Sequence, residues 1–344
     1  MIDYDKYQDE YDKLLNESVL INSLKEVVIG PFTKLPSQIL LEIDEDLYRI
    51  GLIEYVEQKK EDYKETVYQY FPAPIAYFYH RAERDYDNDN HRIQLLRTTW
   101  ESLIYILYCI TLGEVNFKKL SLGNIKIFRD KKIVKDHLTS DRLGLKIEIM
   151  QKIVEYDKEN NNALLISSYL KPEIFEEIKK LNRERNSFSH RAALSDTDAR
   201  EIFHELYPIV TDLLFELNFL ENVRMLNYAN VLGDIHNNRF KKFEGHSLQG
   251  QNYVKPFSDS ELSKVTPILN NQIISLEFGH MIFNISPYIH FCLEAGHFKL
   301  CYFKRIDNNT KNYIFEIIGG AGGEIHVNPN SIPDCINVSL EGLL

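Results

Sequence analysis

Apolar residues recur at three- and four-residue steps along the middle of the chain, which is the period of one face of an α-helix. The clearest stretch runs from His91 to Gly113, and its apolar positions include Leu95, Leu96, Leu103, Ile106, Leu107 and Ile110. Three further stretches carry the same period, at about 143–156, 172–190 and 196–220. Pro172 suits the first turn of a helix, and Ser195 with Asp198 resembles a capping box. The pattern therefore predicts a bundle of four or more helices.

The pattern changes after about Asn222 to short alternating runs of aromatic and β-branched residues. These runs are residues 273–278, 288–293, 298–303 and 312–318. Such alternation is typical of β-strands, and the turn-forming residues 307–310 separate the runs 300–305 and 313–317. The sequence thus predicts an antiparallel β domain with a hairpin at this point.

The first 90 residues mix helical periodicity with a segment, residues 71–77, that holds two prolines. Proline interrupts a helix and restricts the residue before it, so we expect an extended crossing here. Residues 83–90 are polar and rich in turn formers. Asp87 and Asp89 could be drawn as metal ligands, but an exposed loop that caps the next helix is the favoured interpretation.

Together these patterns predict an α+β fold in three parts. Residues 1–90 form a mixed or helical subdomain, residues 91–222 the helical bundle, and residues 223–344 the antiparallel β-rich domain. Hydrophobic residues make up 44% and charged residues 26% of the chain, as is ordinary for a folded, soluble protein. Residues 1–10 carry no targeting signal, and the longest apolar run, 103–112, is too short to span a bilayer. We expect a cytoplasmic protein with no membrane partner.

Charge and cysteine usage narrow the candidate chemistry. The formal net charge is −11, so any nucleic-acid site must be a local basic patch. The cysteines form no C-x-x-C pair and are expected to be small buried hydrophobic residues: Cys109, Cys292, Cys301 and Cys335. These patterns predict neither a metal site nor a cofactor.

The most informative stretch is residues 181–190, which places Arg185, Asn186 and His190 at the end of a predicted helix. Histidine titrates near neutral pH and can take the proton of an RNA 2′-hydroxyl. Arginine can grip the phosphate with its forked donors and neutralise the charge of the transition state. Asn186 could hydrogen-bond the phosphate, orient the histidine or fix the helix end. An arginine and a histidine are the minimum set for metal-free RNA cleavage.

Helical spacing leaves the identity of the phosphate-binding arginine open. On an ideal helix at about 100° per residue, Arg185 and His190 lie about 140° apart, whereas Arg183 and His190 nearly align. Either the helix loosens over the weak helix formers at 187–189, or Arg183 shares the work. The alternative to catalysis is that these side chains only cap carbonyls and solvate the helix end, where the dipole favours cations.

Basic residues cluster around this stretch, while acidic residues concentrate in the first 90 positions and elsewhere. The cluster comprises Lys179, Lys180, Arg183, Arg185, Arg191 and Arg200. It permits an RNA site without demanding one. Arg183 and Arg191 are the candidate substrate-binding residues on either side of the motif.

The residues Arg185-Asn186-Ser187-Phe188-Ser189-His190 resemble the motif of the HEPN superfamily. Active members of this superfamily of helical-bundle domains carry an arginine, usually followed by a polar residue, and a histidine after four to six intervening residues. Asn186 favours Arg185 over Arg183 as the motif arginine. Residues 95–103 look like the first long HEPN helix, and residues 195–220 look like the closing one.

The resemblance implies a metal-independent endoribonuclease that cuts RNA, tRNA among the candidates, in a toxin-like or anti-phage defence role. It also implies a homodimer in which both motifs face one cleft, and an antitoxin or other regulatory protein is a further candidate partner. In many members an acidic residue from an earlier helix lies near the site, and Glu101 is the candidate here. Many HEPN domains are catalytically inactive modules for dimerisation, nucleotide or ligand binding, or sensing and signalling, so this alternative stays open.

Three further patterns have structural as well as functional interpretations. Residues 319–323 are glycine-rich but lack the Lys-Ser/Thr of a nucleotide loop, which favours a β turn. The histidines of the β region lack partners at ligand spacing and are expected to be satisfied within the sheet: His280, His290, His297 and His326. Residues 240–243 interleave lysines and aromatics, as in an RNA-contact strand or a hairpin edge protected by lysines.

Overall fold

The computed structural model describes residues 2–17, 35–127, 131–161, 163–189, 195–229, 238–258, 274–294, 297–307, 309–320, 323–331 and 343, with the backbone alone at 185–189, 238, 293–294, 297–298 and 329. Helices form most of the described chain up to the end of the predicted bundle, and antiparallel strands form most of the described chain after residue 222. The fold is α+β, as the hydrophobic pattern predicts.

Helices account for most of the described chain before residue 90. They are α1 (Gln8–Glu17), α2 (Pro36–Ile43), α3 (Glu45–Tyr70) and α4 (Ala73–Arg84). Asp44 begins α3 as its N-cap, because its carboxylate accepts a hydrogen bond from the amide of Leu47 at 2.9 Å. Tyr11 of α1 and Tyr48 of α3 share a small apolar cluster with Phe215. This cluster ties the N-terminal helices to the bundle.

The proline-containing segment 71–77 is a tight junction between two helices. Only Phe71 and Pro72 are extended, and α4 begins directly after them. The expected extended crossing is therefore wrong beyond these two residues. Pro74 falls in the first turn of α4, where the missing N–H of proline costs no helical hydrogen bond.

Four long helices form the bundle among the described residues: α5 (Asp89–Phe117), α7 (Leu143–Asn160), α9 (Pro172–Ser189) and α10 (Asp196–Glu216). Shorter elements lie between them: β1 (Lys126–Ile127), β2 (Lys131–Lys132), α6 (Lys135–Leu138) and α8 (Ile166–Tyr169). Side chains cap α5 and α10, as predicted for the loop before α5 and for Ser195. Asn88, in the loop before α5, accepts from the amide of His91 at 2.8 Å, and Ser195 accepts from the amide of Asp198 at 3.1 Å. The predicted bundle is thus present.

The remaining strands form two antiparallel sheets. They are β3 (Arg224–Tyr228), β4 (Asn238–Phe243), β5 (Gln251–Lys255), β6 (Ile274–Phe278), β7 (Met281–Asn284), β8 (Ile289–Glu294), β9 (His297–Ile306), β10 (Tyr313–Ile317) and β11 (Glu324–Val327). One sheet has the order β5-β4-β3-β6-β7 and the other the order β11-β10-β9-β8. β9 and β10 pair with Phe303 opposite Phe315, which confirms the predicted hairpin.

Residues 240–243 lie in β4, which pairs with β3 on one side and β5 on the other. The interpretation of this strand as a lysine-protected edge is therefore wrong. Lys241 donates to the side chain of Asn252 at 2.7 Å, and Lys242 pairs with Glu244. Alternation of side chains is the same in an edge strand and an inner strand, so only the tertiary pairing could distinguish them.

One hydrophobic core joins the helices to the first sheet. Its buried residues run from Val67 in α3 to Leu343, so it extends across residues 90 and 222. Gly113 lets α5 approach β7 closely, since a Cβ at this position would overlap the ring of Phe283. The bundle and the sheet are therefore packed directly against each other.

The residues that the structure describes were searched for membrane-spanning helices and for metal-binding groups. No helix among them is long and apolar enough to cross a membrane. They also contain no group of three or more His, Cys, Asp or Glu residues that could hold a metal ion. Cys109, Cys292 and Cys301 are buried free thiols, as predicted, and Cys335 lies outside the described residues.

Candidate functional site

Helix α9 carries the first part of the predicted motif. Its buried residues Ile174, Ile178 and Leu181 recur at helical spacing and face the bundle. Arg183 lies on the exposed side of α9, away from this buried row.

The remainder of the motif falls outside the described residues. This holds for His190 and Arg191 altogether, and for the side chains of Arg185 and Asn186, whose backbone lies in the last turn of α9. The backbone is α-helical through Ser189, so the helix does not loosen over 187–189. His190 is the next residue along the chain.

Polar contacts hold together the end of the bundle at which α10 begins. Arg200 donates to Asp89 of α5 through Nε (3.0 Å) and Nη2 (2.9 Å), both to one carboxylate oxygen. Asn90 donates to the carboxylate of Asp196 at 2.7 Å. Residues 190–194 connect the end of α9 to this same end of α10. In sequence, the predicted motif therefore directly precedes the start of α10.

The basic cluster is smaller than the sequence indicates, because acidic neighbours neutralise part of it. Arg200 is paired with Asp89, and the Lys179 ammonium lies 3.0 Å from the carboxylate of Glu176 on the preceding turn of α9. Lys180 and Arg183 are exposed and have no ion-pair partner among the residues that the structure describes. Of the described members of the cluster, these two remain available to a phosphate.

Glu101, the candidate acidic residue, lies elsewhere on α5. Its carboxylate accepts a hydrogen bond from Arg97 at 2.8 Å, an i,i+4 pair on the same helix. Burial raises the pKa of the Tyr302 phenol on β9, and the charge of Glu101 adds to this rise. Twelve residues at 1.5 Å place Glu101 about 18 Å along α5 from Asp89. The structure thus places Glu101 beside β9 rather than at the end of the bundle.

The other sequence candidates have structural roles. Gly319 adopts a positive φ of 75° in the turn after β10, as the expected β turn requires. His290 is buried on β8, its Nδ1 lies 3.3 Å from the hydroxyl of Ser286, and burial lowers its pKa to about 4. A neutral, hydrogen-bonded imidazole is the satisfied sheet histidine that the sequence predicts.

Sequence reasoning missed one chemically unusual residue, the buried Lys146 of α7. Its ammonium donates to the carbonyl of Ser140 at 2.6 Å and lies 4.8 Å and 5.1 Å from the ring centres of Tyr108 and Tyr105. Burial lowers its pKa to about 8. The available signal was its spacing, because Lys146 lies between Leu143 and Met150 on the apolar side of α7.

The comparisons with known proteins found no matching family model, no similar curated protein and no similar solved structure.

Proposed function

We propose that this chain is a metal-independent endoribonuclease of the HEPN type that acts in a toxin-like or anti-phage defence role. In this proposal it is a cytoplasmic homodimer whose substrate is RNA, with tRNA among the candidates. An antitoxin or other regulatory protein would inhibit it.

The observation that carries the proposal is the position of the motif. The backbone of Arg185 and Asn186 belongs to the last described turns of a long bundle helix, and His190 is the next residue along the chain after Ser189. Helix C-termini favour cationic side chains through their dipole. The exposed Lys180 and Arg183 add unneutralised positive charge on the same helix. A second copy of the motif in a dimer would double this charge, which a chain of net charge −11 otherwise lacks.

The proposed reaction needs one proton transfer at each end of the phosphodiester. His190 removes the proton of the 2′-hydroxyl, and the 2′-oxygen forms a bond to the adjacent phosphorus. Arg185 neutralises the charge that builds up on the phosphoryl oxygens. The bond to the 5′-oxygen breaks, and that oxygen takes a proton from the conjugate acid of a histidine. The products carry 2′,3′-cyclic phosphate and 5′-hydroxyl ends. Asn186 orients the histidine, and Arg183 contributes to RNA binding.

The test is cleavage of total RNA and purified tRNA in EDTA by the wild-type protein and by His190→Ala. We expect the wild type to cut and the variant to lose at least about 100-fold in rate, the range that loss of a general base produces. His204→Ala is the matched control, because His204 is an exposed histidine of α10 outside the motif and should retain full activity. Circular dichroism and sizing would establish that all three proteins fold and assemble alike.

The chemical groups at the ends of the RNA products test the mechanism. Cyclic-phosphate and 5′-hydroxyl ends produced in EDTA would support it. Strictly magnesium-dependent cleavage that leaves 5′-phosphates, or equal cleavage by wild type and His190→Ala, would contradict it.

A catalytically inactive HEPN module is the second candidate. The observation that favours it is the neutralisation of Arg200 by Asp89 and of Lys179 by Glu176, which leaves a small basic patch. This hypothesis predicts no cleavage by folded dimers of either protein and an unchanged cellular phenotype in His190→Ala.

A further inference from the structure

A pocket of about 280 Å³ opens where the helices meet the first sheet. Its walls come from the end of α8, from the 3₁₀-helix Asn218–Asn222 that comes after α10, and from the turn between β6 and β7. Ligand pockets usually measure about 300–1,000 Å³, so this volume, just below that range, suits one small molecule.

Three aromatic rings form the apolar wall of the pocket. Tyr169 and Phe219 stack with ring centres 4.2 Å apart and planes 20° apart, and Phe278 lies 5.7 Å from Phe219. Phe219 and Phe278 are buried, whereas 37% of Tyr169 is exposed. One face of the Tyr169 ring is therefore occupied by Phe219, and the remaining exposure provides a platform for a planar ligand.

The pocket lining also offers hydrogen-bonding groups. The side-chain amides of Asn218 and Asn222 have no hydrogen-bond partner among the residues that the structure describes, and each can both donate and accept. The hydroxyl of Tyr63 donates to one carboxylate oxygen of Glu221 at 2.9 Å, which fixes this carboxylate and leaves its second oxygen to accept. Amides and carboxylates of this kind pair with the ring nitrogens and amino groups of nucleobases.

Charge limits the ligand further. The residues that line the pocket include Glu221 but neither lysine nor arginine. A phosphate group would meet a carboxylate without a compensating cation. We propose that this pocket is a binding site for a nucleobase or nucleoside without a phosphate group, whose base stacks on Tyr169 and hydrogen-bonds to Asn218, Asn222 and Glu221.

This site is separate from the proposed ribonuclease centre. Helix α10 is 21 residues long, begins six residues after His190 in sequence and ends at Glu216, two residues before Asn218. At 1.5 Å per residue, the pocket lies about 30 Å from the start of the helix. The inference therefore does not depend on RNA cleavage. Because the pocket contacts both helices and sheet, a ligand there would stabilise the folded chain by mass action.

The test is calorimetric titration of the wild-type chain with adenosine, guanosine, cytidine and uridine, each at up to millimolar concentration. We expect at least one nucleoside to bind with a stoichiometry of one per chain, and its 5′-monophosphate to bind more weakly. Tyr169→Ala should lower the affinity by about five- to 100-fold, the range for loss of one base–aromatic stack. Tyr169→Phe should keep it, because the ring remains.

One control variant and one further variant of the site distinguish a loss of binding from a loss of folding. Tyr70→Ala removes a tyrosine that is more exposed (50%) than Tyr169 (37%) and does not line the pocket, and it should leave the affinity unchanged. Asn222→Ala removes an exposed amide and should weaken binding in a chain of unchanged melting temperature. The proposal is overturned if none of the four nucleosides binds, if the monophosphate binds more tightly than its nucleoside, or if Tyr169→Ala binds as well as the wild type.

Discussion

A single buried ammonium group, that of Lys146, makes the stability of this protein depend on pH. Only 1% of the residue is exposed, and the carbonyl of Ser140 and two tyrosine rings are its polar surroundings. These contacts favour the charged form but do not offset the loss of water, so the pKa falls to about 8 from an ordinary value near 10.4. Folding therefore costs more when this amine is protonated.

The first prediction concerns Lys146→Met, compared with the wild type by urea unfolding from pH 7 to 10. Between pH 8 and about 10.4 the unfolded chain holds a proton that the folded chain has released, so wild-type stability gains on the variant as pH rises. We expect a gain of about 1 kcal/mol per pH unit in this range and little change near pH 7, where the amine is mostly protonated in both states. The titration of Cys109 and the tyrosines affects the wild type and the variant alike, so it cancels in the difference between their free energies of unfolding.

Lys152→Met is the matched control, since Lys152 is a partly exposed lysine of the same helix that pairs with Glu155 at 2.6 Å. The difference in free energy of unfolding between Lys152→Met and the wild type should not change with pH over this range. A flat curve for Lys146→Met as well would mean that water reaches the Lys146 amine and that its pKa is ordinary.

Lys146 illustrates why the burial and the partners of a single side chain are hard to predict from the sequence. The helical period located α7, and a lysine on its apolar side was readable, but a lysine at such a position commonly extends its amine to solvent. Only the packing of α5 over α7 closes that route. At the candidate site, likewise, the arginine and histidine were readable from the sequence, whereas the pairing of Arg200 with Asp89 spans 111 positions.

At the scale of elements, one carboxylate fixes the start of a short helix. Glu114 on α5 is completely buried and accepts hydrogen bonds from the backbone amides of Leu165 (2.6 Å) and Ile166 (3.0 Å), where α8 begins. The ammonium of Lys118 lies 3.2 Å away. The first amides of a helix lack partners within it, and a negative charge there also meets the positive end of the dipole. Glu114 thus connects α8 to the bundle.

The second prediction is that Glu114→Gln lowers the free energy of unfolding by about 2–3 kcal/mol. The amide has one acceptor oxygen for two backbone donors, and its NH₂ group would face one of them. Urea denaturation at pH 7 measures the loss. Glu155→Gln, at an exposed pair with Lys152, should cost under about 1 kcal/mol. Equal small losses in both variants would show that Glu114 does not hold α8.

Periodicity predicted the long helices and the β9–β10 hairpin because their side-chain spacing is local information. It did not resolve the junction at Pro72, where the same prolines can interrupt a helix or start one. It also could not show that β4 is an inner strand, because strand order depends on contacts between distant parts of the chain. The errors therefore concern connections between elements rather than the elements themselves.

At the scale of the whole molecule, the sheet is held against the bundle by an unusually close approach. Gly113 lies in the buried part of α5, and the ring of Phe283 from β7 occupies the space that a side chain at 113 would need. Glycine within a helix normally costs about 1 kcal/mol relative to alanine. Its presence here is explained by the packing of Phe283, which alanine would displace.

The last prediction is that Gly113→Ala lowers the free energy of unfolding by about 1–3 kcal/mol, because overpacking outweighs the gain in helix propensity. Gly144→Ala is the matched control in α7: its Cβ would lie 3.5 Å from Asn182, an ordinary contact, so stability should stay equal or rise. Adding Phe283→Leu to Gly113→Ala should recover part of the loss, with a coupling energy of about 0.5–3 kcal/mol. Additive losses in the double variant would mean that residues 113 and 283 are not in contact and that the sheet docks elsewhere on α5.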